Sequence, residues 1–211
     1  MSKTQERRAH QRDLLIQAAE RSIAAEGLAG LKSRDLAQAI GCSTGAVYNL
    51  VEDMDELVMR VGSRTLARLD AALTAVESQG PPPARELLIR IAIAYCNFAA
   101  DNTALWRALF EHRMATAKPV PAWAIEEQMA LFRHIWRPLR MLLPAASDDQ
   151  LSLTARSLFS AVHGMVTLGL EQKLIAVPIA ALRNELAVIV GAVVDGLARS
   201  AAQEPMSSEP V

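Results

Sequence analysis

The fold is decided by residues 33–48, which read Ser33-Arg-Asp-Leu-Ala-Gln-Ala-Ile-Gly-Cys-Ser-Thr-Gly-Ala-Val-Tyr48. Two short helices that cross closely need a small residue at the crossing, and Ala37 provides it. The tight turn that follows needs a positive φ angle, which Gly41 adopts without steric cost. Val47 then lies where its apolar side chain can pack the second helix against the first. This spacing predicts a helix-turn-helix.

The sequence before this motif predicts a first helix from Arg7 to Glu26. Leu15, Ala19 and Ile23 recur every four residues, which places them on one face of a helix. Gly27 is expected to end it, because glycine tolerates the left-handed backbone beyond a helix terminus.

Serine hydroxyls are expected to cap both helices of the motif, since each can accept a hydrogen bond from an otherwise unpaired backbone N–H. Ser33 is predicted to cap a helix that runs through Ile40. Ser43 is predicted to cap the second, which runs to about Leu50.

The second helix of the motif has a surface that suits DNA. In a helix-turn-helix this helix enters the major groove with its N-terminal residues towards the base edges. Thr44, Gly45 and Asn49 give it a small, polar exposed face. Small side chains allow a close approach of the backbone. An ordinary helical hairpin without DNA contact is the alternative.

Six further helices complete an all-α fold of about nine helices. They are predicted over 53–76, 85–100, 102–115, 123–143, 148–173 and 179–202. Pro138 is expected to kink the helix over 123–143, because proline removes a helical hydrogen bond. Residues 204–211 are polar and contain two prolines, which predicts a disordered tail.

Composition narrows the class of protein. Hydrophobic residues make up 51% of the chain and its net charge is −1, so any nucleic acid must meet a local cluster of basic groups. No stretch reaches the ~18 apolar residues of a membrane span, and the polar N-terminus is unlike a signal peptide. Cys42 and Cys96 are expected to be reduced thiols. We therefore expect a cytoplasmic protein without a membrane partner.

Four segments together resemble the TetR family of transcriptional regulators. They are Ala25-Glu-Gly27, Ser33-Arg-Asp-Leu-Ala37, Gly41-Cys-Ser-Thr-Gly-Ala-Val-Tyr48 and Asp55-Glu-Leu57. The resemblance covers about the first 60 residues. It implies a three-helix DNA-binding domain over 1–60, joined by a long fourth helix to a ligand-binding and dimerisation domain, a helical bundle, over 61–203.

The resemblance also implies which residues contact a double-stranded DNA operator. Tyr48 would donate its hydroxyl to a phosphate, and Lys3 and Arg12 would add phosphate contacts from the N-terminal arm and first helix. The full set of expected DNA contacts is Ser33, Arg34, Ser43, Thr44, Gly45, Tyr48, Asn49, Arg7 and Arg8.

Two positions depart from the TetR pattern. Family members usually carry an aromatic residue or His where this chain has Leu50, and Lys where it has Met54. The surrounding residues are acidic: Glu52, Asp53, Asp55 and Glu56. Losing a phosphate-binding Lys and adding acid should weaken sequence-independent DNA affinity. The alternative function is therefore a helical ligand-binding dimer that has lost DNA binding.

The last two helices are expected to form a homodimer. Residues 159–168 contain His163-Gly164 and resemble a motif of one TetR subgroup. Gly164, Gly169 and Ala161 would permit close helix approach. The final helix is apolar nearly all round, so something must cover it. A twofold homodimer would in turn imply a palindromic operator.

The larger apolar side chains gather in the second half of the chain, where the resemblance implies a pocket for a small-molecule effector. Aromatic and Met-lined cavities suit apolar or aromatic ligands, although plain core packing is the alternative for each residue. A ligand would displace the fourth helix and move the recognition helices away from the roughly 34 Å spacing of successive major grooves. The expected pocket residues are Trp106, Phe110, Met114, Trp123, Met129, Phe132, Trp136 and His163.

An enzyme is the rival class. None of the four histidines has a Glu three residues before it, as a di-metal helical bundle would require. The sequence contains no zinc-type His/Cys spacing, no Gly-rich phosphate loop and no Gly-x-Ser-x-Gly. We therefore expect no catalytic residues, no metal and no cofactor.

Overall fold

The computed structural model describes residues 2–78, 80, 82–114, 119–172 and 175–203. Within these residues the chain forms ten α-helices and one short 3₁₀ turn, Leu28–Gly30, with no strand. The helices are Lys3–Glu26 (α1), Ser33–Ala39 (α2), Thr44–Val47 (α3), Met54–Glu77 (α4), Ala84–Asp101 (α5), Thr103–Glu111 (α6), Ala122–Ala130 (α7), Arg133–Leu142 (α8), Asp148–Leu170 (α9) and Ile179–Gln203 (α10). The all-α prediction is confirmed.

The described residues form two compact units. The first contains the residues up to Arg68 together with Asp101–Gln128, and the second contains Leu69–Ala100 together with the residues from Met129 onward. The first unit therefore extends beyond the segment over 1–60 to which the sequence assigns DNA binding. That functional division stays a prediction.

The first unit is built around α1, which packs against α2 and α6. Leu15, Ala19 and Ile23 of α1 are fully buried, as their four-residue spacing predicts. Val47 of α3 and Leu57 of α4 are also fully buried in the same cluster. The apolar stripe of one helix thus anchors the whole helix-turn-helix.

In the first unit, Gly27 and Gly41 form the turns predicted for them, whereas one of the two predicted helix N-caps is wrong. Gly27 has a φ angle of 69° and Gly41 one of 71°, a region that favours glycine. Ser43 caps α3, since its side chain accepts a hydrogen bond from Ala46 N. The cap prediction for Ser33 is wrong: Ser33 is the first residue of α2, and Lys32 holds the N-cap position without a side-chain hydrogen bond.

The single helix predicted over 123–143 is two helices, so the described residues form ten α-helices where about nine were predicted. The chain breaks at Leu131 and Phe132, whereas Pro138 lies inside α8. At the break, Arg133 Nη1 donates to the carbonyl of Ala130, the last residue of α7, at 3.0 Å. This bond pairs a carbonyl that the end of a helix leaves without a backbone partner.

Other predicted helix ends also shift. The first helix begins four residues earlier, at Lys3, and α3 is much shorter than predicted, since it ends at Val47. The predicted ends at Ala115 and Lys173 and the predicted disordered tail over 204–211 lie outside the described residues.

The second unit packs α9 against α8 and α10. Gly169 makes the close approach to α10 possible, because a Cβ there would lie only 2.8 Å from Leu182 Cδ2. Arg85 of α5 pairs with Asp195 of α10 at 2.8 Å.

A fully buried imidazole lies between two carboxylates in the second unit. His134 Nδ1 lies 2.7 Å from Glu77 Oε1, and His134 Nε2 lies 2.9 Å from Asp70 Oδ1. Burial raises the pKa of Asp70, but hydrogen bonds from His134 and Arg133 outweigh it and hold that pKa below its usual value. The cluster joins α8 to the second half of α4.

Among the described residues, no helix combines the length and the apolarity that a bilayer-spanning segment requires.

Candidate nucleic-acid interface and effector cavity

The second helix of the motif turns one side to the core and the other to solvent. Val47 is fully buried, while Thr44, Gly45 and Asn49 are exposed. Tyr48 is 49% exposed, an unusually high fraction for a large aromatic side chain. The exposed side chains carry hydroxyl and amide groups, which can form hydrogen bonds with base edges and phosphates.

Arg8 joins α1 to the end of the recognition helix. Its Nη2 donates to the carbonyl of Asn49 at 2.7 Å. The same side chain lines an open groove of about 530 Å³ with Gln11, Tyr48 and Cys42. Gln11 is a polar residue of this surface that the sequence did not single out, because its position depends on how α1 crosses α3.

The other predicted DNA contacts differ in accessibility. Arg34 and Arg7 are exposed, and so is Ser43, although its side chain also caps α3. Ser33 is only half-buried. Arg12 forms an ion pair with Glu56 of α4, so its guanidinium also serves a contact inside the first unit.

Three of the acids at the start of α4 have structural partners. Asp53 Oδ1 accepts a hydrogen bond from Glu56 N at 2.8 Å, which caps the helix. Glu56 itself accepts from Arg12 and from Arg60. Asp55 is buried and lies 3.3 Å from His112 Nε2. This acidity therefore stabilises local structure as well as lowering the local potential.

Leu50 and Met54, the two departures from the TetR pattern, are partly buried and pack against the core of the first unit. Both side chains thus replace a polar or aromatic contact with apolar packing. Neither change disturbs the helix-turn-helix.

Further ion pairs join α1 to the first half of α4. Arg64 pairs with Asp13 and, at 3.4 Å, with Glu20. Arg68 also pairs with Glu20.

The predicted effector-pocket residues of the first unit are divided between core and surface. Trp106 is 1% exposed and meets Phe110 edge-on at 5.5 Å, whereas Phe110 is 47% exposed. Trp123 lies under the guanidinium of Arg60, 4.1 Å from it. Met114 lines a cavity.

In the second unit, His163 and Phe132 belong to one aromatic cluster centred on Phe159. Phe159 stacks on His163 at 5.4 Å and meets Phe132 edge-on at 5.5 Å. Tyr95, which the sequence did not single out, places its hydroxyl 2.8 Å from His163 Nδ1. Burial lowers the pKa of His163, so the imidazole is held neutral.

The remaining two predicted pocket residues lie apart from this cluster. Trp136 lies under Arg140, at 5.1 Å, and Met129 is 43% exposed. Both cysteines are free thiols, and burial raises the pKa of Cys96.

The cavity that contains Met114 lies entirely within the first unit and has a volume of about 120 Å³. Helices α4, α6 and α7, together with His112, Met114 and Val120 between α6 and α7, form its described walls. Its lining residues are Val58, Met59, Gly62, Ser63, Leu66, Ala108, Leu109, His112, Met114, Val120, Ala124, Glu127 and Gln128. Most are apolar residues, which a sequence pattern cannot distinguish from ordinary core.

Residues 88–189 match the model of the tetracyclin repressor-like C-terminal domain. This part of the chain is therefore a C-terminal domain of the TetR family. No curated protein matches the sequence significantly. The His163-Gly164 subgroup stays a prediction.

Solved structures share the TetR fold with this chain. A protein of unknown function from Rhodococcus sp. RHA1 is 25% identical, with 92% of this chain and 96% of that one covered and a TM-score of 0.69. The TetR family transcriptional regulator PfmR from Thermus thermophilus is 18% identical, with 88% and 97% covered and a TM-score of 0.58. RolR, in complex with resorcinol, is 18% identical, with 96% and 98% covered and a TM-score of 0.66.

Proposed function

We propose that this TetR-family chain is a sequence-specific DNA-binding transcriptional regulator, and that it acts as a repressor which a small molecule releases from DNA. The observation that carries DNA binding is the two-sided recognition helix. Val47 fixes α3 to the core, and the polar residues beside it are exposed. An ordinary helical hairpin has no need of an exposed Tyr48 at this position.

The proposed contacts divide into two kinds. Thr44, Gly45 and Asn49 face the base edges, where they determine sequence preference. Phosphate contacts come from Tyr48 and from residues around the motif, which fix the register on the duplex. These are Ser33, Arg34, Ser43, Arg7 and Arg8.

We propose a homodimer through α9 and α10. On α9, Leu153, Ala161 and Leu168 are exposed and follow one another at intervals of about two helical turns, which places them on one face. On α10, Val188 is 54% and Val193 40% exposed. An apolar face of this extent needs a cover, and a second copy of the same face provides one. Twofold symmetry then predicts a palindromic operator.

The effector is proposed to be a small molecule bound in the helical region after the recognition motif. RolR, which shares the fold, holds the small ligand resorcinol. In this chain the first half of α4 contributes to both the cavity and the unit that carries the recognition helix. A ligand that prefers one position of α4 would therefore change the affinity for DNA.

A ligand-binding dimer without DNA binding has less support. Its evidence was Leu50 and Met54, and both side chains pack against the core of an intact helix-turn-helix.

The test is binding of the purified protein to the DNA upstream of its own gene at two salt concentrations. Tight binding to a short palindrome, abolished by Tyr48→Ala, supports the proposal. Arg7→Gln should lower the slope of log affinity against log salt by about 2, because each subunit of the dimer loses one phosphate contact. Arg21→Gln is the matched control, because Arg21 lies about 21 Å further along α1. Absence of any bound site would favour the ligand-binding dimer.

A further inference from the structure

The cavity of the first unit has the size of a very small ligand. Its volume is about 120 Å³. A protein cavity of about 150 Å³ holds benzene, which has six carbon atoms. If the number of atoms scales with volume, this cavity holds about five non-hydrogen atoms. The walls that would enclose these atoms are aliphatic, with Val58, Leu66, Leu109 and Ala124 among them.

The polar side of the cavity carries negative charge. Glu127 lines it, and no Lys or Arg is present among its described lining residues. Ser63 donates its hydroxyl to Glu127 Oε2, which fixes the carboxylate beside the cavity. A carboxylate has about four acceptor positions, so Glu127 retains the capacity to accept from a ligand. An anionic ligand would be repelled here.

His112 adds a second polar atom to the wall. Its side chain is 18% exposed, and its buried Nε2 makes no hydrogen bond within the described residues, although Asp55 Oδ1 lies 3.3 Å away. His112 and Asp55 form a polar pair at this wall, and the carboxylate that lines the cavity itself is that of Glu127.

We propose that this cavity binds a small aliphatic ammonium ion, with its apolar body between α4 and α6 and its charged head at Glu127. The identification of this ion as the effector rests on the proposed function above, whereas its binding does not. The ammonium group binds acceptor positions of Glu127 that Ser63 leaves open. Because Ser63 on α4 and Glu127 on α7 both line the cavity, a ligand held between them is coupled to the position of α4.

The test is a titration of the full chain with three molecules of similar body and different charge, followed by protein NMR. They are isobutylamine, isobutanol and isobutyrate. We expect saturable shifts of the cavity residues with the amine, weaker binding of the alcohol and no binding of the acid. Equal binding of alcohol and amine, preference for the acid, or no saturable shift with any of the three would overturn the proposal.

Two variants test the role of the carboxylate. Glu127→Gln should weaken isobutylamine binding about threefold to fivefold and leave isobutanol within twofold, because Glu127 is exposed and the substitution removes its charge but keeps its shape. Glu126→Gln, one residue away on α7 and outside the cavity, is the matched control and should change neither. If Glu127→Gln binds the amine as tightly as the native chain, the proposal is wrong.

A third variant blocks the cavity. A Cβ at Gly62 would lie 3.4 Å from Leu109 Cδ2, so Gly62→Ala fits without large shifts and reduces the space. We expect it to weaken amine binding and to keep the chain folded.

DNA affinity is then measured with and without isobutylamine. Binding that depends on Glu127 without any change in DNA affinity would support the ligand class and refute release from DNA. Failure to bind DNA at all would refute only the proposed function.

Discussion

Gly164→Ala should act in opposite directions on the folded subunit and on the proposed dimer. Gly164 lies inside α9, and a Cβ built there meets no atom within 4 Å in the single chain. Replacing a glycine in a helix interior by alanine stabilises the helix by about 1 kcal/mol. The unfolding free energy of the isolated subunit should therefore rise by about that amount.

The dimer should respond differently, because Gly164 shares the exposed face of α9 with Ala161 and Leu168. Twofold symmetry introduces two methyl groups into the interface. If each overpacks it by ~1 kcal/mol, the lower end of measured costs, the dimer loses ~2 kcal/mol. The dissociation constant then rises about 30-fold, since ~1.4 kcal/mol is a factor of ten. The helix gain is common to subunit and dimer and cancels.

The assay pairs sedimentation velocity over a dilution series, for the dissociation constant, with urea unfolding at a concentration where subunits are separate. Gly62→Ala is the control for helix propensity, because it lies on α4 and not on the proposed interface. It should raise the unfolding free energy and leave dimerisation unchanged. If Gly164→Ala stabilises the subunit and dimerises like the native chain, Gly164 is outside the interface and the dimer uses another surface.

Three further perturbations test the structure. His134→Leu should lower the unfolding free energy by about 2–3 kcal/mol. This is less than the full cost of an uncompensated buried charge, because Asp70 and Glu77 keep some exposure. Urea unfolding measures the change, and no loss of stability would mean that the two carboxylates do not need the imidazole. The pKa of His163 is lowered in the folded state, so its contribution to stability is present above its unfolded pKa of about 6.5 and is lost as pH falls through the folded pKa. His163→Gln should therefore flatten the dependence of the melting temperature on pH between pH 7 and 5. An unchanged dependence would contradict the assignment. Gly41→Ala should lower the unfolding free energy by about 1–2 kcal/mol, because alanine is strained at the φ angle of 71°. Thermal unfolding measures this, and a variant as stable as the native chain would refute the strain.

Local chemistry made most of the fold predictable. The four-residue spacing of Leu15, Ala19 and Ile23 identifies a buried face without knowledge of the partner helix. Gly27 and Gly41 identify turns because few other residues adopt a positive φ angle.

The effector site was less predictable, because a cavity depends on how distant helices pack. Trp106 is large and apolar, and the structure uses it in the core. Leu109 and Gly62 line the cavity, yet neither differs in sequence from ordinary helix residues. The break before α8 was missed for a similar reason: Pro138 is a visible local signal, whereas the bond from Arg133 to Ala130 is not.

The ion pairs between α1 and α4 give the charged residues of the first half of α4 a structural role in the first unit. Partly exposed pairs of this kind each contribute only about 1 kcal/mol, so their main effect is not stability. Their order matters more: Arg12 pairs with Glu56, while Glu20 pairs with Arg64 and Arg68. A slip of one helical turn towards the C-terminus of α4 would bring Arg12 next to Arg60 instead of Glu56. The charges therefore disfavour that slip and tie the first half of α4 to α1, which supports α2 and α3.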